Sequence, residues 1–178
     1  MAALLRTSFL SAAKTNQMQV RFETIPAKKL VGKHLTMSFG NNRTFELWKS
    51  FMPHRHQISN PLNPDLISLQ LFGPDFNFQN FDPNLPFEKW ACVEVTDSNN
   101  IPEGMETLEI PGGLYAVFLH RGSSAAAPQT FQYIFGIWLP NSDYELDNRP
   151  HFEVLGEKYK NNSPDSEEDI WIPVKPKM

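Results

Sequence analysis

The chain lacks most of what marks a common enzyme class. It has a single cysteine, Cys92, in 178 residues, so it cannot form an internal disulfide. Cys92 sits inside the apolar run "WACVEV", which reads as a buried thiol in a reducing compartment, taken as the cytoplasm. No apolar run approaches the roughly 20 residues that a spanning helix needs, so no membrane partner is expected. Basic charge is in deficit: 16 Lys and Arg stand against 20 Asp and Glu, for a formal net charge of −4. That balance argues against the basic face that holds nucleic acid. There is no Walker-type phosphate loop, dinucleotide fingerprint, CxxC pair or HExxH motif. His54 and His56 in "PHRH" bring no third ligand, so neither a metal nor another cofactor is expected. The opening "MAALLRTSFLSAAKTNQ" has no acidic residue, yet Arg6, Thr7 and Ser8 interrupt its apolar stretch, unlike a secretory signal. Residues 1–17 read as a tail or short appended helix before a single domain over 18–178.

What the chain does have is rings and a repeat. Aromatic residues make up 12% of the composition, enough to build much of a core. "IPAKKLVGKHLTMSF" begins at Ile25 and "IPGGLYAVFLHRG" at Ile110. Each is followed by an aromatic segment of helical spacing, "TFELWKSFMP" to Pro53 and "TFQYIFGIWLP" to Pro140. Proline lacks the donor that a helix interior requires, so each helix is expected to stop there. Two strand-like runs follow in each half: "LISLQLF" and "WACVEV", then "HFEVLGEKY" and "DIWIPV". The pattern predicts two pseudo-symmetric β-α-β-β units, about 18–97 and 103–178, joined in one antiparallel sheet with two covering helices, an α+β fold. Gly73–Glu88 is a long loop carrying Phe76, Phe78, Phe81 and Phe87. Loops of that length serve as lids or binding loops, or as excursions whose rings cap the core.

Glu153 is the conspicuous residue. It interrupts the core-like run Phe152, Val154 and Leu155 in "RPHFEVLGEKY". In the repeat alignment it falls on Ser68, so the unit can be built without an acid there. Side chains alternate faces along a strand. If Phe152, Val154, Ile170 and Ile172 share one face, then Glu153, Leu155 and Trp171 share the other, which is not plainly wet. A carboxylate removed from water without a partner is costly, and a cation entering among rings supplies both charge and cation–π attraction. The alternative is an edge position facing solvent, or a pair with Arg149 or Lys158.

Three stretches, "IPGGLYAVFLHRG", "FGIWLPNSDYELDNRPHFEVL" and "DIWIPV", resemble the GyrI-like small-molecule-binding domain, the effector-binding domain of bacterial AraC-type regulators. The resemblance runs from about Gln19 to Val174. It implies a fold of two β-α-β-β halves and an aromatic pocket for amphipathic, drug- or dye-like cations, with Glu153 of "PHFE" as its anionic floor. Trp171 and Leu155 match lining positions by the same resemblance. Phe135, Trp138, Trp90 and Tyr115 complete the expected wall from pattern. The family's regulators add a helix-turn-helix module. With about 18 residues before the first strand, a stand-alone form without direct nucleic-acid binding is expected. Family members also suggest other roles: small-molecule hydrolysis with Glu153 as general base, or inhibition of gyrase or another protein partner. A homodimer is a further expectation.

Overall fold

The computed structural model describes residues 18–178, and the tail or short helix expected over residues 1–17 lies outside the described residues. The strands are β1 (Val20–Ile25), β2 (Lys28–Met37), β3 (Leu66–Phe72), β4 (Phe87–Val95), β5 (Glu106–Ile110), β6 (Gly113–Arg121), β7 (Tyr144–Leu146), β8 (His151–Leu155) and β9 (Glu167–Pro176). Helix α1 (Thr44–Phe51) lies between β2 and β3. Helices α2 (Ala127–Tyr133) and α3 (Leu139–Asn141), joined by a π turn, form one helical segment between β6 and β7. The antiparallel sheet runs β1-β6-β9-β8-β3-β4-β2-β5, with β7 beside β9. The two expected units are therefore β2-α1-β3-β4 and β6-α2-β8-β9. Among the described residues no helix is long and apolar enough to cross a membrane.

The units meet where β3 pairs with β8. Ser68 faces Glu153 across that pair, flanked by Ile67 with Val154 and Leu69 with Phe152. Residues equivalent in the two halves are thus direct partners at Ser68 and Glu153. The pseudo-twofold axis passes between them.

The two Ile-Pro motifs explain the curvature. Strand β1 leads into β2 but pairs with β6, and β5 leads into β6 but pairs with β2. Each two-residue link, Pro26-Ala27 or Pro111-Gly112, carries the chain from one end of the sheet to the other. Such a link spans no more than about 10 Å, so the ends of the sheet must approach and the sheet must curl. The links cross at Gly112, where a Cβ would lie 2.8 Å from the Ile25 carbonyl oxygen. The proline in each link has no N–H to leave unpaired at the strand end.

The curled sheet has two faces. The inner face gathers Leu30, Leu69, Trp90, Tyr115, Val117, Phe152 and Trp171 into one core. On the outer face α1 packs Leu47 and Phe51 against Val31, Ala91 and Val93. The second helical segment packs Ile134 against Ala116, Phe118, Ile170 and Ile172. This corrects the expected sharing of faces. Ile170 is the partner of Glu153 and Trp171 the partner of Phe152, so Trp171 lies on the inner face, away from Glu153. Alternation sets parity within one strand, but pairing register sets the phase between strands, and a one-residue change exchanges the faces.

Both helical segments continue past their prolines. Pro53 opens a 3-10 turn over Met52–Gln57, and Pro140 lies in the first turn of α3. Each proline follows helical residues without a break, so it removes one backbone bond from a continuous helical run. The Asn141 side-chain amide then donates to the Ile137 carbonyl at 2.7 Å.

The crossing predicts a contrast between two glycines. Gly112→Ala is expected to cost about 1–3 kcal/mol, the usual range for forced overpacking. A Cβ at Gly136, in the π turn, meets nothing within 4 Å, so Gly136→Ala should be neutral or stabilising. Urea unfolding of both variants checks this, and equal midpoints would contradict it.

Candidate ligand-binding site

Glu153 stands on the outer face of β8, on the pseudo-twofold axis, and is 7% exposed. The residues before it fix the strand. The Arg149 guanidinium donates from Nη2 to the Leu114 carbonyl at 2.6 Å and from Nε to Asp147 at 2.8 Å. It also stacks over the Tyr115 ring, 4.5 Å from its centroid. Gly113 leaves the room: a Cβ there would lie 2.4 Å from the guanidinium. Tyr115 donates its hydroxyl to the Pro150 carbonyl at 3.2 Å, and burial pushes that phenol up to about 12. The motif "RPHFE" is thus clamped at its first two residues.

The Glu153 carboxylate already has partners. Gln70 Nε2 donates to its two oxygens at 2.9 and 3.3 Å, and Lys89 Nζ lies 3.4 Å from Oε2. Gln70 and Lys89 are themselves cross-strand partners, on β3 and β4. Lys89 is 7% exposed, so the ion pair is largely shielded from solvent. Removing one member of such a pair leaves a buried charge unmatched. A second carboxylate, Glu168, shares this face, two residues from the Glu153 partner Ile170 on β9. That diagonal separates side chains by about 7–8 Å. Burial first, then the negative charge of Glu153, pushes the Glu168 carboxyl up to about 7, with Lys89 opposing. The Tyr159 hydroxyl is raised by burial and by the same two carboxylates.

Rings gather on the same face as Glu153, around His151. His151, two residues away on the same face, is edge-on to Phe72 at 5.1 Å and lies 5.9 Å from Phe135. Phe78, from the loop between β3 and β4, stacks on Phe135 with centroids 3.7 Å apart and planes 11° apart. It also lies parallel to His151 at 5.6 Å. The loop of one half therefore reaches over the centre of the sheet to the helical segment of the other. Behind Phe78, Phe72, Phe76, Phe81 and Phe87 pack around Phe39.

The structure separates the expected lining residues into groups. Leu155 shares the Glu153 face, and Phe135 belongs to the ring cluster over His151. Trp138 stands edge-on to Phe118, toward the β1 side of the sheet. Trp90, Tyr115 and Trp171 are on the inner face, where Trp90 stacks with His34 at 4.5 Å and Trp171 with Phe152 at 5.3 Å. Their parity is set by the register that placed Trp171 there. Glu153 pairs with neither Arg149 nor Lys158: those bind Asp147 and Glu167. The sequence reading missed Lys89, Gln70 and Glu168. Lys89 was visible as a cation alternating with Ala91 and Val93 in an otherwise core-like strand.

Burial lowers the His151 imidazole from 6.5 to about 3. Between those values the unfolded chain binds a proton that the folded chain does not, so this residue's contribution to stability falls as pH drops from 6.5 toward 3. His151→Phe should remove that loss. Chemical denaturation at pH 7 and pH 4.5 should show the variant gaining on the wild type at the lower pH, and a pH-independent difference would contradict it.

Residues 18–175 match the family of GyrI-like small molecule binding domains. The transcriptional regulator BrlR of Pseudomonas aeruginosa is 27% identical over 176 residues, which cover 98% of this chain and 62% of BrlR. The chain thus spans less than two thirds of that relative's length. The structure of SAV2435 bound to tetraphenylphosphonium superposes with a TM-score of 0.64 at 17% identity, covering 89% of this chain and 94% of that one. The C-terminal domain of EcmrR gives 0.65 at 15% identity, covering 90% and 99%. At those identities the likeness shows a shared fold.

Proposed function

The chain belongs to the GyrI-like small-molecule-binding family, and from that premise we propose that it binds lipophilic, aromatic cations over Glu153. The observation that carries this reading is a buried carboxylate at the centre of the sheet, on the same face as a ring cluster that begins two residues away at His151. Its place on the axis between the two helical segments makes it the focus of the outer face. A bulky cation there would meet the carboxylate below, with His151, Phe135 and Phe78 beside and above it. Each ring face adds about 0.5–2 kcal/mol of cation–π attraction. Small metal ions want six or more oxygens, and Glu153 offers two.

Entry requires the Phe78–Phe135 stack to open, so the loop between β3 and β4 is the lid of this reading. Leu155, on the same face, lines the floor beside Glu153. Binding of this kind suits sensing or sequestration. The tetraphenylphosphonium bound to SAV2435, which shares the fold, supports the ligand class. Engagement of Glu153 with Gln70 and Lys89 favours ion pairing over water activation.

A thermal-shift panel of cationic and anionic aromatic dyes tests the reading. Cationic dyes should raise the melting temperature and anionic ones should not. Glu153→Gln should weaken cation binding at least tenfold by titration calorimetry. Equal responses to both charge classes, or full affinity in Glu153→Gln, would contradict it.

A further inference from the structure

Independently of what binds at Glu153, we propose that β1 is the interface of a homodimer. Its open edge pairs antiparallel with β1 of a second copy, about a two-fold axis through Phe22.

The sheet ends in two strands, β1 and β5, and among the described residues each is paired on one side only. The open side of such a strand offers a row of backbone donors and acceptors that another extended strand can complete. On β1 the exposed residues are Arg21, Phe22 and Thr24, and burial returns at Ile25, next to the crossing links. Val20–Thr24 is therefore the stretch open to a partner.

The charges identify that partner. A two-fold axis perpendicular to the sheet keeps the outer faces of both copies on one side, so residues opposed across it share the same parity. Centred on Phe22, the pairing sets Phe22 against itself and Val20 against the partner's Thr24. It also sets Arg21 against the partner's Glu23, twice. Opposite charges directly across an antiparallel pair are stabilising, and like charges are destabilising. Sliding one strand by two residues, the smallest step that keeps the faces, moves the axis to Arg21 or to Glu23 and sets that charge against its own copy. The strand thus selects one register against itself. Within the chain, Arg21 already binds Glu23 at 2.6 Å, so the second copy completes a ring of four alternating charges.

Strand β5 offers no such match. Its sequence "ETLEI" has two acids and no cation, and Glu106 is engaged by His34 at 3.2 Å. A contact of β1 with β1 closes at two copies, whereas β1 on β5 of the next copy would continue as an open chain. An apolar side chain stands on the axis. Phe22 is 43% exposed on the outer face, with Tyr144 at 4.7 Å and Trp138 at 6.2 Å beside it. The second Phe22 ring faces it there.

Sedimentation velocity on the full chain should give a particle of twice the 20.4 kDa chain mass. Arg21→Glu and Glu23→Arg each oppose like charges twice, and each should weaken dimerisation on the order of tenfold or more, with far-ultraviolet circular dichroism unchanged. Mixed in equal amounts, the two variants should form a heterodimer, because opposite charges then face each other at both positions. That rescue separates a lost interface from a damaged fold. Phe22→Cys reads the register and stands in for the charge reversals where they do not fold. Position 22 faces itself at a Cα separation of about 4.5–5.5 Å, within disulfide range, so oxidised glutathione should link two copies. Thr24→Cys, facing Val20, should not crosslink, and the native Cys92 is fully buried. A monomeric wild type, a dimer indifferent to both charge reversals, mixed variants that stay apart, or equal crosslinking at the two positions overturns the proposal. Assembly beyond two copies overturns it as well, since β1 would then sit on β5.

Discussion

The carboxylate of Glu153 is largely withdrawn from water where it lies, and the outer face is arranged around that constraint. Gln70 and Lys89 reach it from the neighbouring strands of the other half. His151 beside it is held neutral by burial, so it adds no charge of its own. The rings of Phe72, Phe78 and Phe135 pack around that histidine. A buried pair of this kind is seldom a large net gain in stability, because desolvation offsets most of the attraction. Its value is that the charge is available to a ligand that can replace the partner.

Pseudo-symmetry decides where that constraint falls. Two similar units, exchanging their first strands through crossed Ile-Pro links, can join only at a central antiparallel pair. The axis meets the sheet at Ser68 and Glu153 on the outer face, the face that both helical segments pack against. Divergence at the equivalent positions then makes the site polar in a directed way. One half offers serine, glutamine and lysine, while the other offers two glutamates. The inner face, by contrast, gathers an apolar cluster from both halves, with charged groups such as Arg21, Asp169 and Glu88 beside its tryptophans.

Much of this was legible in the chain. The paired Ile-Pro starts, the aromatic helices and the strand pairs gave the architecture, because each repeats with its own period. The equivalence of Ser68 and Glu153 followed from the same alignment. Edge strands β1 and β5 were missed, although "ETIP" and "LEIP" extend the repeat upstream, because each is short and gains its partner from the distant half. The inward assignment of Trp171, Trp90 and Tyr115 could not be read, since phase between strands depends on register. Glu168 was hidden for another reason. It lies in the acidic run "SEED", which by composition reads as solvated, and only the ladder of β9 turns that one residue toward Glu153.

A crystal structure with tetraphenylphosphonium bound tests the account most directly. The phosphonium is expected on the outer face, within about 6 Å of the nearest ring centroids and against the Glu153 carboxylate. Phe78 should be displaced from Phe135. A ligand held on the inner face among Trp90, Tyr115 and Trp171, with the Glu153 carboxylate untouched, would contradict it.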